Sequence, residues 1–262
     1  MADFDSARAK LARANEHLEV FDAEVREFFG SDPYPLTHEF DYLDGVHRWR
    51  ADLSEPLPSH WPLLVGDCVH NLRSALDHLT WQLAGAKQQD RTTQFPIFAT
   101  HVLFDKYGRN QIKSVPRRPR TVIEWLQPCR RANPTDDSLF LVQVFDAEDK
   151  HKAITLTGTV VDQLRFIPTT PIAPGSKLAL NINGENFPVY GGKPNAVIAE
   201  GSAILTGPGN ASAYYMDVQI EATFGVAMSA ESEGMTVARA NLALREASEC
   251  VERVLQAFER YA

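Results

Sequence analysis

A short stretch of the chain concentrates side chains that can carry acid–base or phosphate chemistry. It covers residues 66–81, GDCVHNLRSALDHLTW, and its candidate catalytic groups are His70, Arg73, Asp77 and His78. An imidazole titrates near neutral pH and can transfer a proton, whereas a guanidinium matches the oxygens of a phosphate. The neighbouring Asn71 and Ser74 are candidate substrate-binding groups, because both carry polar atoms that can bond to a ligand.

A helix must position these groups, because apolar residues recur through the stretch at alternating steps of four and three. The apolar positions are Val65, Val69, Leu72, Leu76, Leu79 and Leu83. This pattern predicts a helix over residues 61–85 with one face buried against other helices. Its other side carries Asp, Asn, Ser and His, which are poorer helix formers than the Glu, Lys and Gln typical of a solvated face. The composition favours either a reactive site or a buried polar network that fixes how helices dock.

A second polar cluster, Asp149, Lys150 and His151, follows an apolar run. The run predicts a third main helix that begins near Thr135, with Thr135 as its cap and Asp136 and Asp137 in its first turn. The cluster resembles the first one in placing Asp and His together. It is interpreted either as the partner of the first cluster or as a solvated helix end.

The segment of residues 106–131 is strongly basic, with eight Lys or Arg residues against the single acid Glu124. Candidate substrate-binding residues there are Arg117, Arg118 and Arg120. The net charge of the chain is −8, which opposes nonspecific binding of nucleic acid by the molecule as a whole. The segment is therefore either a local patch that faces phosphates or a solvated region that complements the acidic residues 1–60.

Four prolines interrupt residues 101–134, which leaves room for one short helix over residues 120–126. Trp125 and Leu126 in this helix are expected in the core. The preceding residues 92–100 are predicted to form a loop or a short edge strand that places Phe95 and Phe98 on the core.

The remaining patterns predict an α+β fold. Residues 5–29 and 236–261 have helical apolar periodicity, and residues 38–42 and 46–50 flank Asp44-Gly45, which is typical of a hairpin. Candidate strands, separated by Gly- and Pro-containing turns that include Gly207-Pro208-Gly209, are residues 160–167, 177–182, 187–190, 196–205 and 213–224. We therefore expect a bundle of three to four long helices, with an antiparallel sheet inserted before the last helix.

The sequence suggests three regions, which can also form one domain. They are a mainly helical part at residues 1–156, the β-sheet insertion at 157–230 and the C-terminal helix at 231–262. No apolar run has the roughly 18 residues that a membrane span needs. The acidic start of the chain differs from a signal peptide, and its three cysteines have no Cys-x-x-Cys spacing. We expect a cytoplasmic protein with reduced thiols, no cofactor and no membrane partner.

The run from Arg73 to His78 has the form Arg-x4-His and resembles the motif of HEPN-domain ribonucleases. These are small helical bundles, commonly dimers, that cut RNA without a metal. The resemblance implies that His78 acts as the general acid or base at the ribose 2′-hydroxyl and that Arg73 contacts the scissile phosphate. It also implies RNA as a partner and a homodimer. More broadly, HNLRSALDHL together with Asp149-Lys150-His151 resembles a set of uncharacterised bacterial proteins.

Two other hypotheses remain open from the residues alone. A metal-dependent hydrolase would use Asp77, His78, Asp149 and His151, since carboxylates and imidazoles from two facing helices can bind a metal. In a non-catalytic protein, the polar cluster would pin helix to helix, and the sheet or the basic segment would bind a partner.

Overall fold

The computed structural model describes most of the chain. The described residues are 3–41, 43, 46–51, 55–85, 88–152, 154–168, 179–182, 185–188, 203–208, 218–230, 234–237 and 239–261. Their helices are α1 (Asp5–Gly30), α2 (Trp61–Ala84), α3 (His101–Leu103), α4 (Arg109–Gln111), α5 (Arg117–Trp125), α6 (Ser138–His151) and α7 (Ala240–Phe258). One π-helical turn, Phe104–Gly108, joins α3 to α4.

The long helices α1, α2, α6 and α7 pack around one core, as their apolar periodicity predicts. Each buries a stripe that includes a fully buried large side chain, such as Phe21 in α1, Leu72 in α2, Val142 in α6 and Leu244 in α7. Burial of such a side chain stabilises the fold by about 2 kcal/mol. These four helices confirm the predicted bundle.

The first residue of α2 fixes how that helix meets α1. The ring of Trp61 packs edge-on against Phe21, with 5.5 Å between ring centroids, and its Nε1 donates a hydrogen bond to Glu24 Oε2 at 2.8 Å. Because the indole is fully buried yet satisfied at its only polar atom, it anchors the start of α2 against α1.

The described strands form two antiparallel sheets. They are β1 (Leu36–Asp41), β2 (Val46–Ala51), β3 (Thr155–Pro168), β4 (Ala179–Ile182), β5 (Glu185–Pro188), β6 (Ala203–Pro208), β7 (Val218–Ala230) and β8 (Met235–Val237). One sheet has the order β1-β2-β6-β4-β5, and the other has the order β3-β7-β8. The second sheet contributes Val226 and Met228 of β7 to the core. The strands β3 to β8 lie between α6 and α7, so the α+β prediction is confirmed.

The predicted hairpin is present, since β1 and β2 pair antiparallel from Leu36 with Ala51 to Asp41 with Val46. Its predicted turn at residues 44–45 lies outside the described residues. So do the Gly- and Pro-containing turns that separate the first four candidate strands, at residues 174–175, 183–184 and 191–192. β2 also pairs with β6, so this sheet draws strands from both sides of α2 along the chain.

Several predicted boundaries are wrong, including the start of α5, which is Arg117 and not residue 120. Gly207 and Pro208 belong to β6 and not to a turn, and Pro208 pairs with Val46 as the last residue of the strand. A proline is tolerated near a strand end, where its missing N–H costs little of the ladder. The last helix begins at Ala240 and not at residue 236, because Met235–Val237 pairs with the end of β7 as a strand.

The predicted cap of the third main helix is also wrong. Residues Pro134–Asp136 form a short 3-10 turn, and α6 begins only at Ser138. Asp137 has extended backbone dihedrals, and its Oδ1 accepts a hydrogen bond from the N–H of Leu139 at 2.9 Å. Asp137, and not Thr135, is therefore the N-cap.

Trp125 does not lie in the core, in contrast to the prediction. Its residue surface is 66% exposed, whereas Leu126 beside it is partly buried against the core as expected. Helix α5 turns Pro119 and Ile123 inward. Trp125 follows Ile123 by two residues, about 200° around a helix, and therefore points to the opposite side.

Candidate functional site

The side chains of Arg73 and Asp77 form hydrogen bonds with the two main-chain polar groups of Phe95. Arg73 Nη2 donates hydrogen bonds to the carbonyl oxygen of Phe95 at 2.7 Å and to Asp77 Oδ1 at 2.9 Å. Asp77 Oδ1 also accepts from the N–H of Phe95 at 2.9 Å. We call this arrangement the Phe95 clamp. It joins α2 to a loop and satisfies both main-chain groups of a residue whose own surface is fully buried.

The Phe95 clamp is largely shielded from solvent. The side chain of Arg73 is 8% exposed and that of Asp77 is 32% exposed. Burial raises the pKa of Asp77, against the opposing effects of the Arg73 charge and the Phe95 N–H. Arg73 Nη1 is buried and has no hydrogen-bond partner among the described residues. Nη2 of the guanidinium is thus engaged in hydrogen bonds within the protein.

His78 lies one residue beyond the clamp and does not take part in it. Its residue surface is half-buried, and it makes no hydrogen bond or ion pair within the described part of the chain. On an ideal helix, His78 lies about 140° around the axis from Arg73. The two residues of the Arg-x4-His motif therefore have different surroundings, one in the clamp and the other beside it.

A polar seam joins α2 to α6 on the side of His70. The buried carboxylate of Asp146 accepts from Lys150 Nζ at 2.5 Å through Oδ2 and lies 3.2 Å from His70 Nδ1 through Oδ1. The Asp146 side chain is 3% exposed, whereas the side chains of His70 and Lys150 are about half exposed. The seam therefore has a buried carboxylate beneath an imidazole and an ammonium group that both reach solvent.

Asp149 completes the seam by lying against the backbone of α2. A Cβ atom added at Gly66 would stand 2.3 Å from Asp149 Oδ1, so any other residue at this position would displace the carboxylate. Burial raises the pKa of Asp149, and the charges of Asp67 and Asp146 raise it further, while His70 and Lys150 oppose them. Gly66 thus leaves room for the Asp149 carboxylate in this side-chain position.

The other predicted substrate-binding residues of α2 have different surroundings. Asn71 is buried, donates through Nδ2 to the carbonyl oxygen of Asp67 at 2.8 Å and accepts from Lys10 Nζ at 3.2 Å. Ser74 is half-buried. In the second cluster, Lys150 and His151 are exposed, so His151 does not share the buried part of the seam.

Most cations of the basic segment are already committed to nearby groups. Arg120 donates to the carbonyl oxygens of Lys113 and Val115, and Arg109 pairs with Asp105 and Glu124. Arg117 and Arg118 are exposed and form no ion pair among the described residues. Of the three predicted arginines, two are therefore available to a partner, whereas Arg120 stabilises its own turn.

The same loop that the clamp holds also anchors the end of α5. Gln127 is fully buried and donates through Nε2 to the carbonyl oxygens of Pro96 at 2.7 Å and Ile123 at 3.1 Å. The N–H of Cys129 donates to the carbonyl oxygen of Phe98 at 2.9 Å. The loop at residues 95–98 thus connects α2 to the basic segment.

The sequence interpretation missed Asp146 and Gln127. Asp146 precedes Lys150 by four residues and Asp149 by three, so helical spacing places all three on one face. That spacing was the available signal for Asp146. Gln127 had none, because its partners are main-chain carbonyl groups whose positions depend on the folded loop.

No group of three or more His, Cys, Asp or Glu side chains suited to hold a metal ion occurs in the described ranges. Asp77, His78, Asp149 and His151, the four residues of the metal-hydrolase hypothesis, all lie within those ranges and do not form such a group. Of the helices that the structure describes, none has the length and apolar character to cross a bilayer.

Comparison of the chain with protein-family models, with curated proteins and with solved structures gave no match.

Proposed function

We propose that the protein is a non-catalytic binding protein in which the polar face of α2 is structural and the basic segment binds an anionic partner. The observation that supports this proposal is the Phe95 clamp. Arg73 uses Nη2 for both Asp77 and the Phe95 carbonyl group, and its side chain is almost fully buried. A guanidinium held in this way stabilises the loop, since an unpaired buried carbonyl or carboxylate is costly.

The clamp has a second consequence for the basic segment. It fixes the loop to which Gln127 and the N–H of Cys129 bind, so the segment is attached to the bundle through the same loop. Arg117 and Arg118 project from this support at the first turn of α5, where the helix dipole adds partial positive charge. A fixed, locally basic surface favours an anionic partner although the whole chain is acidic.

Retention on immobilised heparin tests the anionic surface. Arg117→Ser/Arg118→Ser is compared with Arg13→Ser/Arg253→Ser, which removes the same charge from exposed positions of α1 and α7. Only the first double variant is expected to elute at lower salt. If the two double variants elute together, or if the wild type is not retained, the basic segment is not the binding surface.

A second candidate function is a metal-independent ribonuclease, and the observation that favours it is the half-buried His78 without a hydrogen-bond partner among the described residues. Such an imidazole is free to transfer a proton. Incubation of RNA with the purified protein in EDTA distinguishes the two candidates. The binding-protein proposal expects no cleavage. Cleavage that His78→Ala abolishes in a folded protein would establish the ribonuclease instead.

A further inference from the structure

We propose that the exposed face of α5 is a stacking surface for the bases of single-stranded nucleic acid, an inference that rests on the anionic partner proposed above. The surface consists of Arg118, Thr121, Trp125 and Arg130, and we call it the Trp125 face. Arg118, Thr121 and Trp125 follow one another at steps of three and four, so they form one stripe along the helix. The stripe lies opposite the buried Pro119 and Ile123.

The first argument is the exposure of the indole. Trp125 is 66% exposed, whereas Trp61 is fully buried and Trp81 is 40% exposed. An indole in contact with water loses the stabilisation that burial would give it. A single exposed apolar residue is ordinary on a protein surface, so the exposure matters only together with the charges around it.

The second argument is the cation that lies on the ring. The Arg130 guanidinium carbon stands 5.1 Å from the centroid of the Trp125 ring. Arg130 Nε donates to the carbonyl oxygen of Glu124 at 2.6 Å, which fixes the guanidinium in this position. The pair thus presents a flat apolar ring beside a fixed positive charge. A base can stack on the ring while its phosphate contacts the arginine.

The third argument is the charge around the stripe. Arg118 lies seven residues before Trp125 on the same face, about 10 Å along the helix axis. Glu124, the acid of α5, is engaged by Arg109 at 3.5 Å. Thr121 donates its hydroxyl to the carbonyl oxygen of Arg117 and adds no charge. The Trp125 face therefore combines two cations with one aromatic ring.

These features favour a single strand over a duplex or an acidic peptide. In a duplex, the bases are stacked on each other and their faces are not available to Trp125. An acidic peptide would satisfy the arginines but would leave the exposed indole without a flat partner. Because every base has a π-face, we expect binding with little sequence preference.

Binding of a fluorescently labelled oligouridylate, measured by anisotropy, tests the proposal. Trp125→Ala is expected to weaken binding roughly tenfold or more, since stacking on one aromatic side chain contributes that much. Trp81→Ala is the matched control, because Trp81 is another exposed tryptophan but lies on α2. The affinity of this variant for oligouridylate should equal that of the wild type. Trp125→Phe keeps an aromatic ring and should restore most of the affinity.

Competition experiments identify the class of partner. A duplex RNA of the same length and oligoglutamate should compete poorly with the labelled strand. The proposal is overturned if Trp125→Ala binds like the wild type, if the duplex binds as tightly as the single strand, or if oligoglutamate binding shows the same dependence on Trp125. If oligouridylate does not bind but heparin retention still depends on Arg117 and Arg118, the stacking surface is rejected while the anionic surface stands.

Discussion

Arg73 Nη2 lies 2.7 Å from the carbonyl oxygen of Phe95, a residue 22 positions further along the chain. The same nitrogen is 2.9 Å from Asp77 Oδ1, which in turn accepts the Phe95 N–H. One arginine and one carboxylate of α2 therefore satisfy both main-chain groups of a buried loop residue. This relationship explains why acidic and basic side chains stand one turn apart on a helix that is otherwise buried there.

Arg73→Ala is expected to lower the free energy of unfolding by about 2 to 4 kcal/mol, because it leaves the Phe95 carbonyl group without a donor and removes the positive charge beside the partly buried Asp77. Urea denaturation measures the change. Asp77→Ala should also destabilise the protein, and the double variant should cost less than the sum of the two single changes, since the groups share one network.

The control for this prediction is Arg253→Ala. Arg253 pairs with Glu249 one turn away on α7, but both side chains are largely exposed. Its removal should change the free energy of unfolding by less than about 0.5 kcal/mol. Equal effects of Arg73→Ala and Arg253→Ala would show that the clamp does not stabilise the loop.

Gly66→Ala is expected to stabilise the protein less than the better helix propensity of alanine alone would give. The added Cβ would stand 2.3 Å from Asp149 Oδ1, so the carboxylate or α6 would have to move. In an Asp149→Ala background, the obstacle is absent. The same Gly66→Ala change should then stabilise α2, by up to about 1 kcal/mol. Thermal or urea unfolding of the four proteins gives this cycle, and an equal effect of Gly66→Ala in both backgrounds would contradict the proposed packing.

Asp149→Asn is expected to raise the free energy of unfolding at neutral pH. Burial and the charges of Asp67 and Asp146 raise the pKa of Asp149, and His70 and Lys150 compensate only in part. A carboxyl whose pKa is raised in the folded state binds its proton more readily there than in the unfolded chain. The stabilisation that proton binding at Asp149 gives to the folded state is therefore fully present below the pKa of the unfolded chain. It is lost as the pH rises through the pKa of the folded state.

The advantage of Asp149→Asn should consequently disappear as the pH falls towards about 4, near the pKa of an unfolded aspartate. Urea denaturation of the wild type and the variant across this range measures the effect. Asp136→Asn, at an exposed position just before α6, removes the same charge and provides the control for the general effect of losing one carboxylate. An advantage of Asp149→Asn that is independent of pH would argue against a titration effect.

Local periodicity was sufficient to predict the bundle. The steps of four and three that place Leu72, Leu76 and Leu79 on one face are a property of the sequence, and all three are fully buried. The burial of the Arg73 side chain could not be predicted in this way. Arg73 stands about 40° from Val69 around the helix, at the border of the apolar face. Only the distant loop at Phe95 decides that it turns inward.

The same distinction between local and distant information applies to Trp125 and Asp146. An apolar ring is more often buried than exposed, so Trp125 was placed in the core. Its exposure follows from the position of Ile123 on the short helix α5. Asp146 directly follows the apolar run at the start of a charged segment, and its spacing to Asp149 and Lys150 indicates a shared face. Its partner His70 comes from another helix, which local pattern cannot supply.

Asp137→Ala is expected to destabilise α6 by about 1 kcal/mol, the usual cost of removing an N-cap side chain. Asp137 Oδ1 accepts the N–H of Leu139 at 2.9 Å, and its other oxygen pairs with Arg131 at 3.2 Å. Asp137→Asn should retain most of the stability, because an amide oxygen can still accept from the helix. Thr135→Ala provides the contrast: Thr135 lies in the preceding 3-10 turn, so its removal should change the free energy of unfolding by less than about 0.5 kcal/mol. If urea denaturation instead shows Thr135→Ala to be the more costly change, the helix begins earlier than Ser138 and the cap is misassigned.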